Sequence, residues 1–407
     1  MDYKKLALDY HELPRPGKTS VLPTKPFDGQ HDLSLAYTPG VAGPVEAIAA
    51  DGREAYRYTN KGNLVAVVTD GSAVLGLGNV GAVAGKPVME GKSVLFKLFA
   101  DIDVFDIEVE APSTEGFIET VANIAPTFGG INLEDIAAPK CFAIEEALKE
   151  RLDIPVFHDD QHGTAIVVCA GLVNALEIQG KRLEDIRIVF QGAGAAGIAT
   201  AKLLCSLGAN RDNIVMVDSR GVIHTARDDI NIYKQAFAAN TPLRSAAEAL
   251  IDADVLIGLS GPGMISREMI RSMAKRSIVF ALSNPDPEIT PEEIFEVSDQ
   301  IVVATGRSDY PNQVNNSLVF PFVFRAALDE KLTTIDASLM TAAVQCLASL
   351  ARKKVPKEVR KIYPRETLEF GPGYILPKQF DPRLCEHMVG GLKKAISESP
   401  AVSGQAD

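Results

Sequence analysis

The feature that most restricts how this chain can fold is the run beginning at Ile186. Residues 186–190 (IRIVF) form a short apolar strand, 191–197 (QGAGAAG) a glycine-rich turn, and 198–207 a segment with helical spacing. A strand this short, with no polar alternation, belongs in a sheet covered on both faces, which means parallel neighbours joined by helical crossovers. Those neighbours are legible as further short apolar runs at 213–217, 253–259, 277–281 and 301–304. The first half alternates in the same way, with strands expected at 63–69, 104–109, 131–136 and 154–157 and helices at 89–100, 117–128 and 141–152. The fold class is therefore α/β.

With 407 residues the chain is long enough for two domains, each with its own core. The division expected is an N-terminal α/β domain over 1–160, opening with an arm at 1–36 that is rich in Pro, Lys and Asp and has little regular structure. A C-terminal Rossmann-type, doubly wound domain follows over 161–407, ending in helices and a tail, LEFGPGYILPKQFDPRL, that wraps back on the body. A formal charge of −12 with no basic block argues against nucleic acid as a partner. Cys141, Cys169, Cys205, Cys346 and Cys385 are scattered, an odd set that fits reduced thiols better than a disulfide scaffold. The N-terminus lacks the apolar core of a signal peptide, and no run approaches the apolar length of a membrane span, so a cytoplasmic protein is expected.

Gly192-Ala193-Gly194-Ala195-Ala196-Gly197 is GxGxxG between a strand and a helix, where glycines let the backbone approach a pyrophosphate seated on the helix N-terminus. A tight turn alone would also select glycine. Asp218, 26 residues after Gly192 and at the end of the next strand, stands where a ribose-binding acid belongs. The cofactor expected is NADP or NAD. Asp218 would favour NAD by bonding both ribose hydroxyls, whereas Arg220 could clamp a 2′-phosphate.

A second polar concentration lies just upstream, in VFHDDQHGT at 156–164, again at a strand end before a helix. Asp160 could simply cap that helix. Three carboxylates from two strand ends, Glu134, Asp135 and Asp160, could instead hold a hard divalent cation through oxygen. Tyr37 and Lys92 are then candidate acid and base if burial and a cation shift their proton affinities. Each has a blander reading by itself: an ordinary tyrosine, a solvated helix lysine, a capping pair at Glu134-Asp135.

The ordered set YTPGV, TDGSAVLGLGNVG, GKPVMEGK, FGGINLEDI, VFHDDQHGT, GAGAAGIA, FALSNPDPE and GRSDYPNQVNN resembles the malic enzyme family over nearly the whole chain. The ALDYHELPRPGK start and FGPGYILPKQFDPRL end resemble its NADP-preferring bacterial members. In many of those a phosphotransacetylase-like domain follows, so the chain is expected to be a short natural form or a truncated one. The resemblance implies oxidative decarboxylation of (S)-malate to pyruvate and CO2, with reduction of NAD(P)+ and a need for Mg2+ or Mn2+. It implies Lys92 as the base at the C2 hydroxyl, Tyr37 as the acid at C3, and Asp159 as the group that orients Lys92. The cation would be held by Glu134, Asp135 and Asp160, and Asn284 and Asn316 would bind the substrate carboxylate. Where larger relatives carry an arginine in the TDGxR turn this chain has Ala73, and backbone amides near Ala73 and Val74 are expected to substitute. A homo-oligomer, dimer or larger, is also expected. Two other readings of the residues are an amino-acid dehydrogenase of similar plan, which needs no divalent cation, and a non-catalytic nucleotide sensor, which would not keep both Tyr37 and Lys92.

Overall fold

The computed structural model describes residues 3–398 and contains two parallel sheets. The first is built from β1 (Leu64–Thr69), β2 (Asp103–Glu108), β3 (Gly130–Leu133) and β4 (Val156–His158), in the order β2-β1-β3-β4. The second contains β5 (Ile188–Gln191), β6 (Ile214–Asp218), β7 (Gly221–Val222), β8 (Val255–Gly258), β9 (Ile278–Ala281) and β10 (Val302–Thr305). Its order is β10-β9-β8-β5-β6-β7, and only the two-residue β7 runs antiparallel. Strands β1, β3, β5, β8, β9 and β10 are buried along their whole length, as unalternating apolar runs require. In both sheets the strand order reverses beside a central strand, β1 in one and β5 in the other, and the crevice outside the strand C-termini at such a point is where α/β proteins bind ligands.

The helix expected at 89–100 begins earlier and spans Ala82–Ala100. The glycine-dense stretch before Met89 reads as a loop, but Gly85 is helical, and the helix packs in ordinary contact against the end of β1. A Cβ there would sit 3.6 Å from the Val74 side chain and 3.8 Å from the Gly71 backbone. The arm also departs from expectation: it carries helices at Tyr3–Glu12 and Gln30–Ala36. Its prolines are confined to the stretch between those helices, so composition averaged over 1–36 hid them. No residue of either helix is buried, and Leu6, Leu8, Tyr10, Val21, Leu22, Phe27 and Leu35 are all exposed.

The expected boundary at 160 falls in the first turn of the helix Asp159–Gln179, which starts on the first sheet and leads to the second. The first sheet is not closed by residues 1–160 alone. The helix Phe320–Asp329 packs on it from far along the chain, with ring centroids of Phe320 and Phe324 at 4.7 and 5.3 Å from Phe96, and Phe324 at 5.9 Å from Phe157. Contrary to the reading that no run is long and apolar enough, Asp159–Gln179 has the length and hydropathy of a membrane span. It is instead a core helix, with 72% of its apolar window buried inside the protein.

Candidate active site

The acids predicted from two strand ends converge. Glu134 and Asp135 follow β3, Asp159 and Asp160 follow β4, and the parallel β3–β4 pairing places the two ends side by side. Asp135 has φ of +54°, a left-handed turn that redirects the chain just beyond the strand. One carboxylate oxygen each from Glu134, Asp135 and Asp160 lies within 4.8 Å of the others. Asp160 does not cap its own helix, which has no side-chain cap. It reaches across instead, its Oδ2 accepting from the Asp135 backbone N–H at 2.8 Å.

Lys92 points into this group from the helix Ala82–Ala100. Its Nζ is 3.0 Å from Glu134 Oε1, donates to Asp159 Oδ2, and stands 4.5 Å from the Phe320 ring centroid. Lys86 and Lys97 face elsewhere, toward Asp106 and toward Asp101 and Asp103, so the helix turns only one lysine to the cleft. Burial opposes the Lys92 charge, but the Asp159, Glu134 and Asp160 carboxylates outweigh it and raise the pKa above the ordinary lysine value. Burial, and then the crowding carboxylates of Asp160, Asp159 and Asp135, push Glu134 well up, with only Lys92 opposing strongly. Glu134 is fixed by the buried Asn132 side chain, which donates to Oε2 at 3.0 Å.

Asp159 is fully buried and held from its far side. Asn316 Nδ2 donates to its Oδ2 at 3.1 Å, and Thr164 Oγ1 donates to Asn316 Oδ1 at 3.1 Å. Asn316, expected on the substrate, is thus tied to Asp159. Asn284 is exposed on the second domain, with its carbonyl against the 74–78 loop: a Cβ on Gly76 would lie 2.6 Å from it. The amides of Ala73 and Val74 themselves, near which a carboxylate is expected, are engaged within the protein. Ala73 N–H donates to Asp135 O and Val74 N–H to Gly78 O, both at 2.9 Å, so neither is open to a ligand. Tyr37 stands apart just past the arm, 68% exposed; its backbone bonds to Leu33 O and Val41 N–H, and among the described residues no hydrogen bond to its hydroxyl is seen.

The glycine turn has the geometry a pyrophosphate needs. Gly192 has φ of +124°, and a Cβ on it would strike Leu259 O at 2.3 Å. A Cβ on Gly197 would strike Gly192 O at 2.4 Å, and Gly194 faces open space. The helix Ala195–Ser206 begins without a side-chain cap, leaving its first amides for a ligand. Ala193, Gly194, Asp218, Ser219, Asn231 and Lys234 are among the residues lining a cleft of about 540 Å³ at this point; Ala195 and Ala196 form the first helical turn behind it.

Around Asp218 the structure adds what the sequence reading missed. Its carboxylate receives Arg227 through two bonds of 2.8 and 3.1 Å and Lys234 Nζ at 2.7 Å. Burial would raise its pKa, but these partners and the Arg220 amide bring it down to about 2. Arg220 extends outward to Asp229 at 2.9 Å, 71% exposed, and its side chain is not in the cleft wall. Lys234 is. Its position 16 residues after Asp218, on a different element, offered no motif to read.

These features are those of a dinucleotide-dependent oxidoreductase built on two parallel sheets. Residues 16–149 match the model for the malic enzyme N-terminal domain, and 161–367 match the malic enzyme NAD binding domain. The chain belongs to the malic enzyme family. It is 56% identical to an NADP-dependent malic enzyme of Halomonas elongata, over 97% of this chain and 94% of that one. It is 54% identical to an NADP-dependent malic enzyme of Rhizobium meliloti, but spans only 52% of that protein's length, as with several other curated relatives. The crystal structure of malic enzyme from Pyrococcus horikoshii superposes with a TM-score of 0.88 at 44% identity, covering 97% of this chain and 91% of that one.

Proposed function

We propose that this chain oxidises (S)-malate at C2 and decarboxylates it to pyruvate and CO2, reducing NAD(P)+, with a divalent cation held by Glu134, Asp135 and Asp160. The observation that carries the reading is Lys92 drawn into a buried acid group at the cleft. Four carboxylates (Glu134, Asp135, Asp159, Asp160) against one ammonium leave a formal charge of 4 − 1 = 3 negative, which suits a hard dication and oxygen donors such as Mg2+ or Mn2+. When bound, the cation supplies Lewis acidity at the substrate oxygens.

The protein's own groups do the rest. Lys92 takes the C2 hydroxyl proton as hydride leaves C2 for the nicotinamide. To do so it must first be neutral, and a cation drawing on Glu134 and Asp160 opposes the ammonium that those acids otherwise stabilise. Asp159, clamped by Asn316, keeps Lys92 aimed. Asn284, beside the 74–78 loop, contacts the substrate carboxylate from the second domain. Tyr37 protonates C3 of the enolpyruvate left when CO2 departs. The exposed apolar arm that precedes it supports a homo-oligomer in which a second copy covers the arm and brings Tyr37 to a cleft. The coenzyme is NADP+: Lys234 lines the cleft beside Asp218, where its ammonium meets a 2′-phosphate, and the relatives 56% and 54% identical are NADP-dependent malic enzymes.

The test is the rise of NADPH absorbance with malate, with Mn2+ and after EDTA. A Mn2+-dependent signal that Lys92→Ala abolishes without loss of NADPH binding is the expected result. No metal-dependent signal with either coenzyme would sink the assignment.

A further inference from the structure

Glu145 has no part in the site described so far. It lies within the helix Lys140–Arg151, 5% exposed, and its carboxylate is the acceptor for four groups. The His158 backbone N–H donates at 3.3 Å, Gln161 Nε2 at 3.1 Å and Lys149 Nζ at 2.8 Å, and His162 Nε2 lies 2.8 and 2.9 Å from its two oxygens. Three of these partners flank Asp159 and Asp160 directly, one before the pair and two after it.

The position of its helix matters as much. Residues 136–139 alone separate Asp135 from the helix Lys140–Arg151, so that helix continues the loop bearing Glu134 and Asp135. Glu145 therefore ties the β4 corner to the element that follows the β3 corner. The three carboxylates that meet within 4.8 Å come from those two corners. A buried charge is costly, and an apolar side chain of similar volume would pack the same space. What an apolar side chain would lack is simultaneous hold on a main-chain amide and two side chains around the Asp pair.

We propose that Glu145 is a positioning residue for the cation site, clamping residues 158–162 so that Asp160 stays in register with Glu134 and Asp135. The proposal rests on the cation site inferred above. Groups bonded directly to metal ligands are worth about ten- to a hundredfold in metal affinity; Glu145 acts one step further out, through residues 158–162 beside Asp160, so its loss falls at the lower end of that range.

The experiment uses the full chain freed of metal with EDTA. Free Mn2+ is followed by its paramagnetic resonance signal during titration, and NADPH binding by fluorescence in parallel. Glu145→Gln, which keeps the volume and removes the charge, is expected to weaken Mn2+ binding about tenfold while NADPH binding stays unchanged. His162→Gln and Gln161→Leu should each weaken it less, and Lys149→Ala, which removes a partner that does not touch the corner, should leave it unchanged. Unaltered Mn2+ affinity in Glu145→Gln overturns the proposal, as does a loss matched by an equal loss of NADPH binding. Should Glu145→Gln fail to fold, unaltered Mn2+ affinity in both His162→Gln and Gln161→Leu overturns it instead. Asp160→Ala separates the two levels: if it too leaves Mn2+ binding intact, the cation site itself is wrong.

Discussion

Lys234→Ala should convert coenzyme preference, and the structure indicates by how much. Lys234 Nζ stands 2.7 Å from Asp218 Oδ2, half-buried in the cleft wall, at the corner where a 2′-phosphate would sit. Removing it has two effects of opposite sign for the two coenzymes. An NADP phosphate loses a charged hydrogen bond, worth about 1.5–3 kcal/mol. At 1.36 kcal/mol per tenfold this is a fall of about 10- to 150-fold in kcat/KM for NADP+. The Asp218 carboxylate, meanwhile, is freed on one side to bond ribose hydroxyls, so kcat/KM for NAD+ should hold or rise. Arg220→Ala is the contrast. Its guanidinium is largely in solvent and committed to Asp229, so its loss should cost about 1 kcal/mol or less. Initial rates with each coenzyme at saturating malate and Mn2+ decide the matter. Parallel losses with both coenzymes, or a larger NADP+ effect from Arg220→Ala than from Lys234→Ala, would refute the reasoning.

Mixing Tyr37→Phe and Lys92→Ala chains, each inactive alone, should restore part of the activity if a second copy supplies Tyr37; no recovery after verified co-assembly means the tyrosine serves its own cleft. Gly163→Ala should abolish malate oxidation with little loss of NADPH affinity, since a Cβ there would lie 1.9 Å from Asp159 Oδ1; wild-type turnover would show that Asp159 need not hold its place. The Asp218 carboxyl is held near 2 in the folded chain against an ordinary 3.8, so its pairing stabilises the fold fully above about pH 4 and is lost as pH falls toward 2. The gap in melting temperature between wild type and Asp218→Asn should therefore narrow over that interval, and a gap independent of pH would show that the charge contributes nothing.

What could be read from the sequence was whatever depends on residues near one another in the chain. Strand-end acids at Glu134-Asp135 and Asp159-Asp160, the glycine turn at 192–197, and Asp218 at the next strand end are local patterns, and the parallel sheets carry them to the expected crevices. The ring packing of Phe320 and Phe324 on Phe96 was not legible, because a buried apolar helix does not say which sheet it covers. Nor was the occupation of the Ala73 and Val74 amides, which depends on the left-handed turn at Asp135 and on the carbonyl of Gly78. Lys234 and Arg227 escaped notice because charged side chains on short surface segments carry no periodicity, and only the fold returns them to Asp218.

The motif HDDQHGT shows where local reading stops. As letters it is a polar cluster before a helix, and helix capping accounts for it well enough. In the structure its positions are tied to four other parts of the chain. The main-chain amide of His158 and the side chains of Gln161 and His162 go to Glu145, Asp159 goes to Lys92, and Asp160 to the amide of Asp135. Gly163 leaves room for the Asp159 carboxylate, and Thr164 holds the Asn316 amide that clamps it. Each of these partners is at least 13 residues away except the glycine's, so the motif is fixed by the convergence of four separate segments on one corner. That convergence explains why the same two aspartates could divide their work: the buried one faces an ammonium and takes hydrogen bonds from an asparagine, while its half-buried neighbour, one residue on and turned the other way by the first helical turn, faces two more carboxylates and is free to share a cation with them.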